Sequence, residues 1–379
     1  MVNLGFGMMR LPQKNKDDEK SIDYKQLNTM VDTYIKSGFN YFDTAYGYHK
    51  GESELALKKS VIDRYNRSDI IVADKLPVYM INKQSQLDEI FNTQLKRTNA
   101  GYFDYYLLHD MGILSDKENK DIDIFKFTKD LKKRGLIRKL GFSSHADAEY
   151  IENVLKKHPE VDFIQLQINY LDWENETIQS HKCYDVACKY NKPIIVMEPL
   201  KGGFLANVPE KAEKLMYDYN GQTPIMWAFR FLSGLDNIIM ILSGMNNNKQ
   251  VIDNIQIFND LQPLNDEELS ILDEVVHIIN ENIAINCTSC RYCISECPVG
   301  IDIPKLFNIY NHDMIEDAPG YTVCGNIYVN YSKDEKNHIA SDCIECNRCV
   351  DRCPQHLNIP KFMDDVKNRF ETEVYGFKK

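Results

Sequence analysis

Eight cysteines in the last quarter of this 379-residue chain fall into two copies of one spacing. Cys287, Cys290, Cys293 and Cys297 precede Pro298, and Cys343, Cys346, Cys349 and Cys353 precede Pro354. Each copy reads C-x2-C-x2-C-x3-C-P, a run that arranges thiolates around iron–sulfur clusters. The first three, separated by two residues each, turn their sulfurs to a common centre. The fourth, ahead of the proline, points away and commonly serves the other cluster. A lone C-x2-C would also suit zinc or a redox dithiol; two full copies favour a pair of [4Fe-4S] clusters over zinc or disulfides. Such clusters pass single electrons.

A second set of reactive types lies in the first third of the chain. Asp43, Tyr48, Lys75 and His109 supply a carboxylate, a phenol, an ammonium and an imidazole. An ammonium beside a phenol lowers the phenol's pKa, and the carboxylate would hold that ammonium in place. The phenol then serves as general acid toward a carbonyl oxygen, with the imidazole orienting the substrate. Each residue also has a plain structural reading: Asp43 as a helix cap, Lys75 in a rim ion pair, His109 as a satisfied core histidine. Their order along the chain is what argues for a shared site.

That order has meaning only if the elements align it. Short apolar stretches at Leu4–Gly7, Phe39–Thr44, Ile70–Leu76, Tyr105–His109, Lys139–Ser143, Phe163–Gln167, Ile194–Glu198 and Ile238–Leu242 read as eight strands. Helix-length segments such as Tyr24–Ser37, Gln86–Thr98, Phe125–Arg134 and Ala146–Lys157 separate them, with Gly38 and Gly135 as stop signals and Asp147 near a start. Nearly all-apolar strands alternating with helices imply a parallel sheet covered on both faces. Eight units in this length fit a (β/α)8 TIM barrel, whose chemistry sits at the C-terminal ends of the strands. Asp43, Lys75 and His109 close three successive strands, and Tyr48 follows one loop away. A Rossmann fold would need a G-x-G-x-x-G run, which Gly5-Phe6-Gly7 does not continue.

The expected organisation is a barrel over residues 1–262, a connecting helix within 263–286 (Asp266–Asn280) and a small, mainly helical two-cluster domain over 287–379. Both cysteine copies run on alike, Gly300-Ile301-Asp302-Ile303-Pro304 and His356-Leu357-Asn358-Ile359-Pro360. This indicates an internal duplication, each half a cluster turn followed by a Pro-started helix. Helical pieces are expected at Ile303–Asn311 and Lys333–Ala340.

The net charge of -11 argues against a nucleic-acid partner, which demands a basic face. The interleaved charges at 14–20 and 117–123 read as solvated loops and helix faces. No run of eighteen apolar residues suggests a membrane span, and Met1–Gly5 lacks the layout of a signal peptide. With thiolates needing a reducing compartment, the cytoplasm is the expected location. An acidic surface would suit a basic redox partner.

The segment Phe42-Asp43-Thr44-Ala45-Tyr46-Gly47-Tyr48, with Gly51-Glu52-Ser53-Glu54, resembles the signature of aldo-keto reductases. Asp43, Tyr48, Lys75 and His109 match that family's catalytic tetrad in order, and the likeness runs from Leu4 to about residue 260. The cysteine-rich end resembles the subset with an appended ferredoxin-like domain. The resemblance implies hydride transfer between a nicotinamide and a small carbonyl or alcohol, with Tyr48 giving the proton. It places Ser143 and Gln165 at the carboxamide, with Ser144 where the family usually has an amide side chain. Met197 falls where many members stack an aromatic ring. Leu200, Gly244, Gln250, Asp253 and Asn254 fall to the rest of the cofactor. Gly244 and Gln250 stand where NADP-preferring members carry cations, which weakens the case for a 2′-phosphate and leaves NAD, NADP or another cofactor open. The hairpin that usually plugs the barrel's bottom has no counterpart ahead of the first strand.

Nicotinamide exchanges two electrons at once and each cluster one, so direct coupling calls for a flavin, bound near the barrel mouth or carried by a partner. The rival reading is an iron–sulfur electron carrier whose barrel is only a docking scaffold. A third has the clusters lock the C-terminal domain without redox duty. Of the remaining candidates, Cys183, Cys188 and Cys324 read as packed thiols, and Trp173 and Trp227 as core or interface anchors. His49 and His145 lie on the active rim, where substrate contact and solvent exposure compete. Lys201-Gly202-Gly203 is either a phosphate approach or a plain turn.

Overall fold

The computed structural model describes residues 2–15, 18–112, 122–176, 178–316 and 322–377, so the charged segments at 14–20 and 117–123 lie partly outside the described residues. Eight parallel strands close into a barrel in chain order. They are β1 (Asn3–Gly7), β2 (Tyr41–Asp43), β3 (Ile71–Pro77), β4 (Phe103–His109), β5 (Ile137–Ser144), β6 (Phe163–Gln167), β7 (Ile194–Met197) and β8 (Ile238–Gly244). All eight expected strands are present. The seventh stops one residue early because Glu198 turns left-handed, at φ 53°.

Helices α1 (Tyr24–Lys36), α2 (Glu52–Leu57), α3 (Ser85–Thr98), α4 (Ile124–Lys133), α5 (Ala148–Lys157) and α6 (Ser180–Lys189) follow the first six strands. The cap residues act as expected. Gly38 and Gly135 take φ of 91° and 72° just past their helices, and Asp147 accepts the Tyr150 N–H at 2.8 Å to open α5.

Inside the barrel the period of two organises two layers. The apolar layer contains Tyr41, Ala73, Leu107, Phe163, Ile195 and Leu242. Two residues further along β2, β3, β4 and β6 stand Asp43, Lys75, His109 and Gln165, so each strand exchanges an apolar side chain for a polar one at the same rim. Two glycines make the lower layer possible. A Cβ at Gly5 would sit 2.6 Å from Leu242, and one at Gly141 would sit 2.5 Å from the Phe163 ring.

The chain divides into two compact units, Met1–Pro199 with Ala228–Leu264, and Leu200–Trp227 with Asn265–Lys379. The stretch after β7 therefore groups with the cysteine-rich end. It holds α7 (Glu210–Asn220) and the start of α8 (Pro224–Ser233), while α9 (Asn248–Asn259) belongs to the barrel unit. The second unit continues with α10 (Asp266–Asn282), α11 (Ile303–Glu316), α12 (Val323–Ser332) and α13 (Ile359–Phe370). Its core gathers Leu306, Phe307, Tyr328, Met363, Val366 and Phe370.

The helix expected at Lys333–Ala340 lies upstream instead, at Val323–Ser332. Thr322 caps it through the Gly325 N–H at 3.0 Å, and Lys333 ends it. Gly325 admits the Tyr375 ring, which would lie 2.2 Å from a Cβ there. Among the described residues no helix is long and apolar enough to cross a membrane.

Substituting Gly141→Ala forces a methyl into the Phe163 ring. Overpacking of this kind costs about 1–3 kcal/mol, so thermal unfolding should move to lower temperature. An unchanged midpoint would show that the lower layer is looser than described.

Candidate active site and cluster cavities

The barrel rim brings the four expected residues together. Lys75, at 1% exposure, forms an ion pair with Asp43 and donates to the Thr44 carbonyl at 2.9 Å and to Tyr48 Oη at 3.4 Å. Its ammonium lies 4.9 Å from the centre of the Tyr48 ring. His109, 7% exposed, meets that ring edge-on at 5.8 Å and meets Tyr79 at 5.7 Å. Gln165 donates an amide hydrogen to the other Asp43 oxygen at 3.3 Å, fixing the carboxylate from the far side.

Burial presses the Lys75 ammonium toward neutrality, but the Asp43 carboxylate and the Tyr48 phenol outweigh it and raise its pKa. Tyr48 departs from the expectation. Its pKa is raised, because burial of the phenol exceeds the downward pull of Lys75 and of Arg10. The phenol therefore keeps its proton at neutral pH.

Arg10, one turn past β1, was not among the residues the sequence pointed to. Its stem lies 3.6 Å from where a Gly244 side chain would begin, so the turn after β1 places an arginine beside this corner. On the outer face of β3, Asp74 and Glu54 form a buried carboxyl pair. Burial raises both, and Arg97 donates to Glu54 at 2.8 Å.

Ser143 Oγ accepts the Asp110 N–H at 2.9 Å, which leaves its hydroxyl hydrogen to donate. Gln165 uses an amide hydrogen on Asp43, which leaves its carbonyl oxygen to accept. A donor and an acceptor on adjacent strands match the two ends of a carboxamide. The candidates Gln250, Asp253 and Asn254 are each engaged by a neighbouring residue. Gln250 accepts the Asn246 N–H at 2.8 Å, Asp253 pairs with Lys249 at 2.5 Å, and Asn254 donates to Ser243 at 2.9 Å. Gly244 ends β8, Met197 ends β7, Ser144 donates to the Met111 carbonyl at 2.7 Å, and Leu200 falls in the second unit.

The remaining histidines have local duties. His49 accepts the Leu11 N–H at 3.0 Å through Nε2 and donates from Nδ1 to the Glu19 carbonyl at 2.8 Å, so it ties a loop. His145 bonds Gln167 at 3.1 Å. Trp173 stacks on His181 at 4.3 Å, and Trp227 is fully buried. Burial pushes the Cys183 thiol up to about 12, and Cys324 lies in the second unit's core.

In the second unit the duplication repeats in the backbone. Ser289 and Arg291 turn left-handed (φ 53° and 68°), and so do Glu345 and Asn347 (φ 52° and 62°), 56 residues on. Gly300 and His356 keep the same offset and conformation, at 87° and 52°. Each pair of reversals brackets a central cysteine, Cys290 or Cys346. One cavity is lined by Cys287, Cys290, Cys293 and Cys353, and a second by Cys343, Cys346, Cys349 and Cys297. Each cavity thus takes three cysteines from one motif and the fourth from the other. The four-thiol lining of each is the donor set that holds an iron–sulfur cubane.

Residues 3–277 match the aldo/keto reductase family. The chain belongs to that family. Residues 286–357 match a 4Fe-4S dicluster domain, and the protein is an oxidoreductase. It is 26% identical over 296 residues to the uncharacterized oxidoreductase YqkF of Bacillus subtilis, covering 71% of this chain and 90% of that one. It is 22% identical over 303 residues to the NADH-specific methylglyoxal reductase of Escherichia coli, covering 68% and 90%. Among solved structures, the holo form of the aldo-keto reductase AKR11C1 from Bacillus halodurans superposes with a TM-score of 0.60 at 24% identity, covering 72% and 91%. An aldo-keto reductase from Klebsiella pneumoniae in complex with NADPH gives 0.57 at 17%, covering 72% and 90%.

The crossed ligand sets make a specific expectation. If Cys353 completes the Cys287–Cys293 cluster, Cys353→Ser and Cys293→Ser damage the same cluster, and the double variant loses no more iron than the worse single one. Pairing Cys353→Ser with Cys349→Ser should damage both clusters. The reverse pattern of iron contents would refute the crossing.

Proposed function

We propose that the barrel site reduces a small carbonyl with Tyr48 as the proton donor, or oxidises the matching alcohol with the Tyr48 phenolate accepting that proton. The observation that carries this is the chain Asp43–Lys75–Tyr48, closed by His109 against the Tyr48 ring. A bound nicotinamide would supply the hydride. Ser143 and Gln165 would hold its carboxamide, and Tyr48 would hand its proton to the substrate oxygen as charge develops there. Lys75 stabilises the phenolate left behind, and Asp43 keeps Lys75 charged and aimed. His109, beside the phenol, orients the carbonyl. Gly244 and Gln250 offer no cation to a 2′-phosphate but Arg10 lies beside Gly244, so the reading covers NAD and NADP alike, in keeping with the NADH and the NADPH named for two relatives.

In the second unit the two four-cysteine cavities would each hold a [4Fe-4S] cluster. These would pass single electrons between the protein and a redox partner.

Tyr48→Phe removes the proton donor while leaving the ring and its contact with His109. Turnover of a small aldehyde with reduced nicotinamide should fall roughly 10²- to 10⁴-fold, with the iron–sulfur absorbance unchanged. Retained turnover would sink the assignment. Because the reducing form is the protonated phenol and its pKa is raised above 10.0, kcat/KM for reduction should lose its high-pH limb only above that value. A limb ending well below pH 10 would contradict the assignment.

A further inference from the structure

The backbone of Lys75 needs partners that the neighbouring strand does not supply. Along β3, Ile71 donates its N–H to the Asn40 carbonyl at 2.9 Å, and Ala73 accepts the Thr44 N–H at 3.0 Å. Every second residue thus turns its backbone toward β2. Lys75 is next in that series, but β2 ends at Asp43. Two buried side chains fill the gap. Asp74 Oδ1 accepts the Lys75 N–H at 2.8 Å, and Gln94 Nε2 donates to the Lys75 carbonyl at 3.0 Å. The Gln94 oxygen accepts the Tyr106 hydroxyl at 2.6 Å, which fixes the orientation of the amide.

The other half of Asp74 raises an electrostatic problem. Asp74 and Glu54 are both fully buried and lie within hydrogen-bonding reach of each other. Arg97 donates to Glu54 Oε2 at 2.8 Å, while Glu54 Oε1 and Asp74 Oδ2 are buried with no donor. Two carboxylates in one buried place cannot both ionise. The groups facing them are Arg97 and Gln94 on α3, Tyr106 on β4 and Lys75 itself. One guanidinium answers one negative charge, and the Lys75 ammonium is already paired with Asp43. A single proton between Oε1 and Oδ2 satisfies both oxygens and removes the second charge. An ionised Asp74 would instead compete with Asp43 for Lys75. Arg97 also donates to the Tyr46 carbonyl at 3.4 Å and lies 4.6 Å from the centre of its ring, which ties the pair to the loop that carries Tyr48.

We propose that Asp74 and Glu54 hold one proton between them, and that this pair, with Gln94, positions Lys75 by gripping its backbone where β2 has ended. None of the three touches the reacting atoms. They act through Lys75, whose ammonium must stay aimed at Tyr48. The proton remains with the pair throughout turnover. The positioning role rests on the barrel reaction proposed above, which Tyr48→Phe tests by itself.

The test joins infrared difference spectroscopy to steady-state kinetics on the full chain. Subtracting the Asp74→Asn spectrum from the native one at neutral pH should leave the carbonyl stretch of a protonated carboxyl, identified by its shift in D2O. This arm needs no turnover, so it and the barrel reaction can fail separately. Asp74→Leu releases the Lys75 N–H and should lower kcat for a small aldehyde roughly tenfold to a hundredfold, the scale of a misplacement of about 1 Å, with KM little changed. Asparagine keeps an oxygen for that N–H and offers Glu54 a hydrogen, so Asp74→Asn should recover most of the kcat that the Leu variant loses. Should the Leu variant fail to fold, Gln94→Met, which releases the Lys75 carbonyl, takes its place and should show the same selective fall in kcat. A difference spectrum without that band would overturn the shared proton. Native kcat in the folded Leu or Met variant would overturn the positioning role. So would equal losses in the Asn and Leu variants, or failure of both the Leu and Met variants to fold, since the network would then serve the fold alone.

Discussion

The barrel site depends on one buried ion pair. Asp43 and Lys75 come from adjacent strands and meet where water does not reach. Each is tolerable only because the other is present, and removing one partner from such a pair costs about 3–5 kcal/mol. Gln165 and the Thr44 carbonyl take up remaining hydrogen-bonding capacity, so the ammonium is aimed at Tyr48 before any substrate arrives. This preorganisation costs no rearrangement at the moment of reaction. The apolar layer below, with its glycines on β1 and β5, gives the pair a rigid floor.

The second unit solves a different problem with a repeated turn. Two left-handed residues bracket the middle cysteine of each motif, and the fourth cysteine crosses to the other cavity. Crossing makes each half necessary to the other, which matters in a unit with a small core. Ile303 and Ile359, the equivalent first residues of α11 and α13, line both cavities and form a shared wall.

Much of this was legible in the residues because it rests on spacing. Period two places Asp43, Lys75 and His109 at one rim, and the cysteine spacing alone foretells which ligand crosses. The direction of the Tyr48 shift was not legible, since proximity to a lysine is visible in a motif and burial is not. Arg10 escaped notice because its partners, Gly244 and Tyr48, are far along the chain and only barrel closure brings them near. The helix at Val323–Ser332 was missed for a similar reason. It packs through Gly325 against Tyr375, fifty residues on, a contact that only the folded chain supplies. Lys201 looked like a turn or a phosphate site, and the buried Gln355 that receives it lies more than 150 residues away.

The central claim is that this barrel moves a hydride and leaves single electrons to the clusters. The most direct measurement uses reduced nicotinamide deuterated at C4, a small aldehyde and the full protein without oxygen, with mass spectrometry of the alcohol formed. The account predicts one deuterium on the carbinol carbon of the product, with no dependence on cluster oxidation state. An alcohol without deuterium, or product formed only when the clusters are reduced, would contradict it.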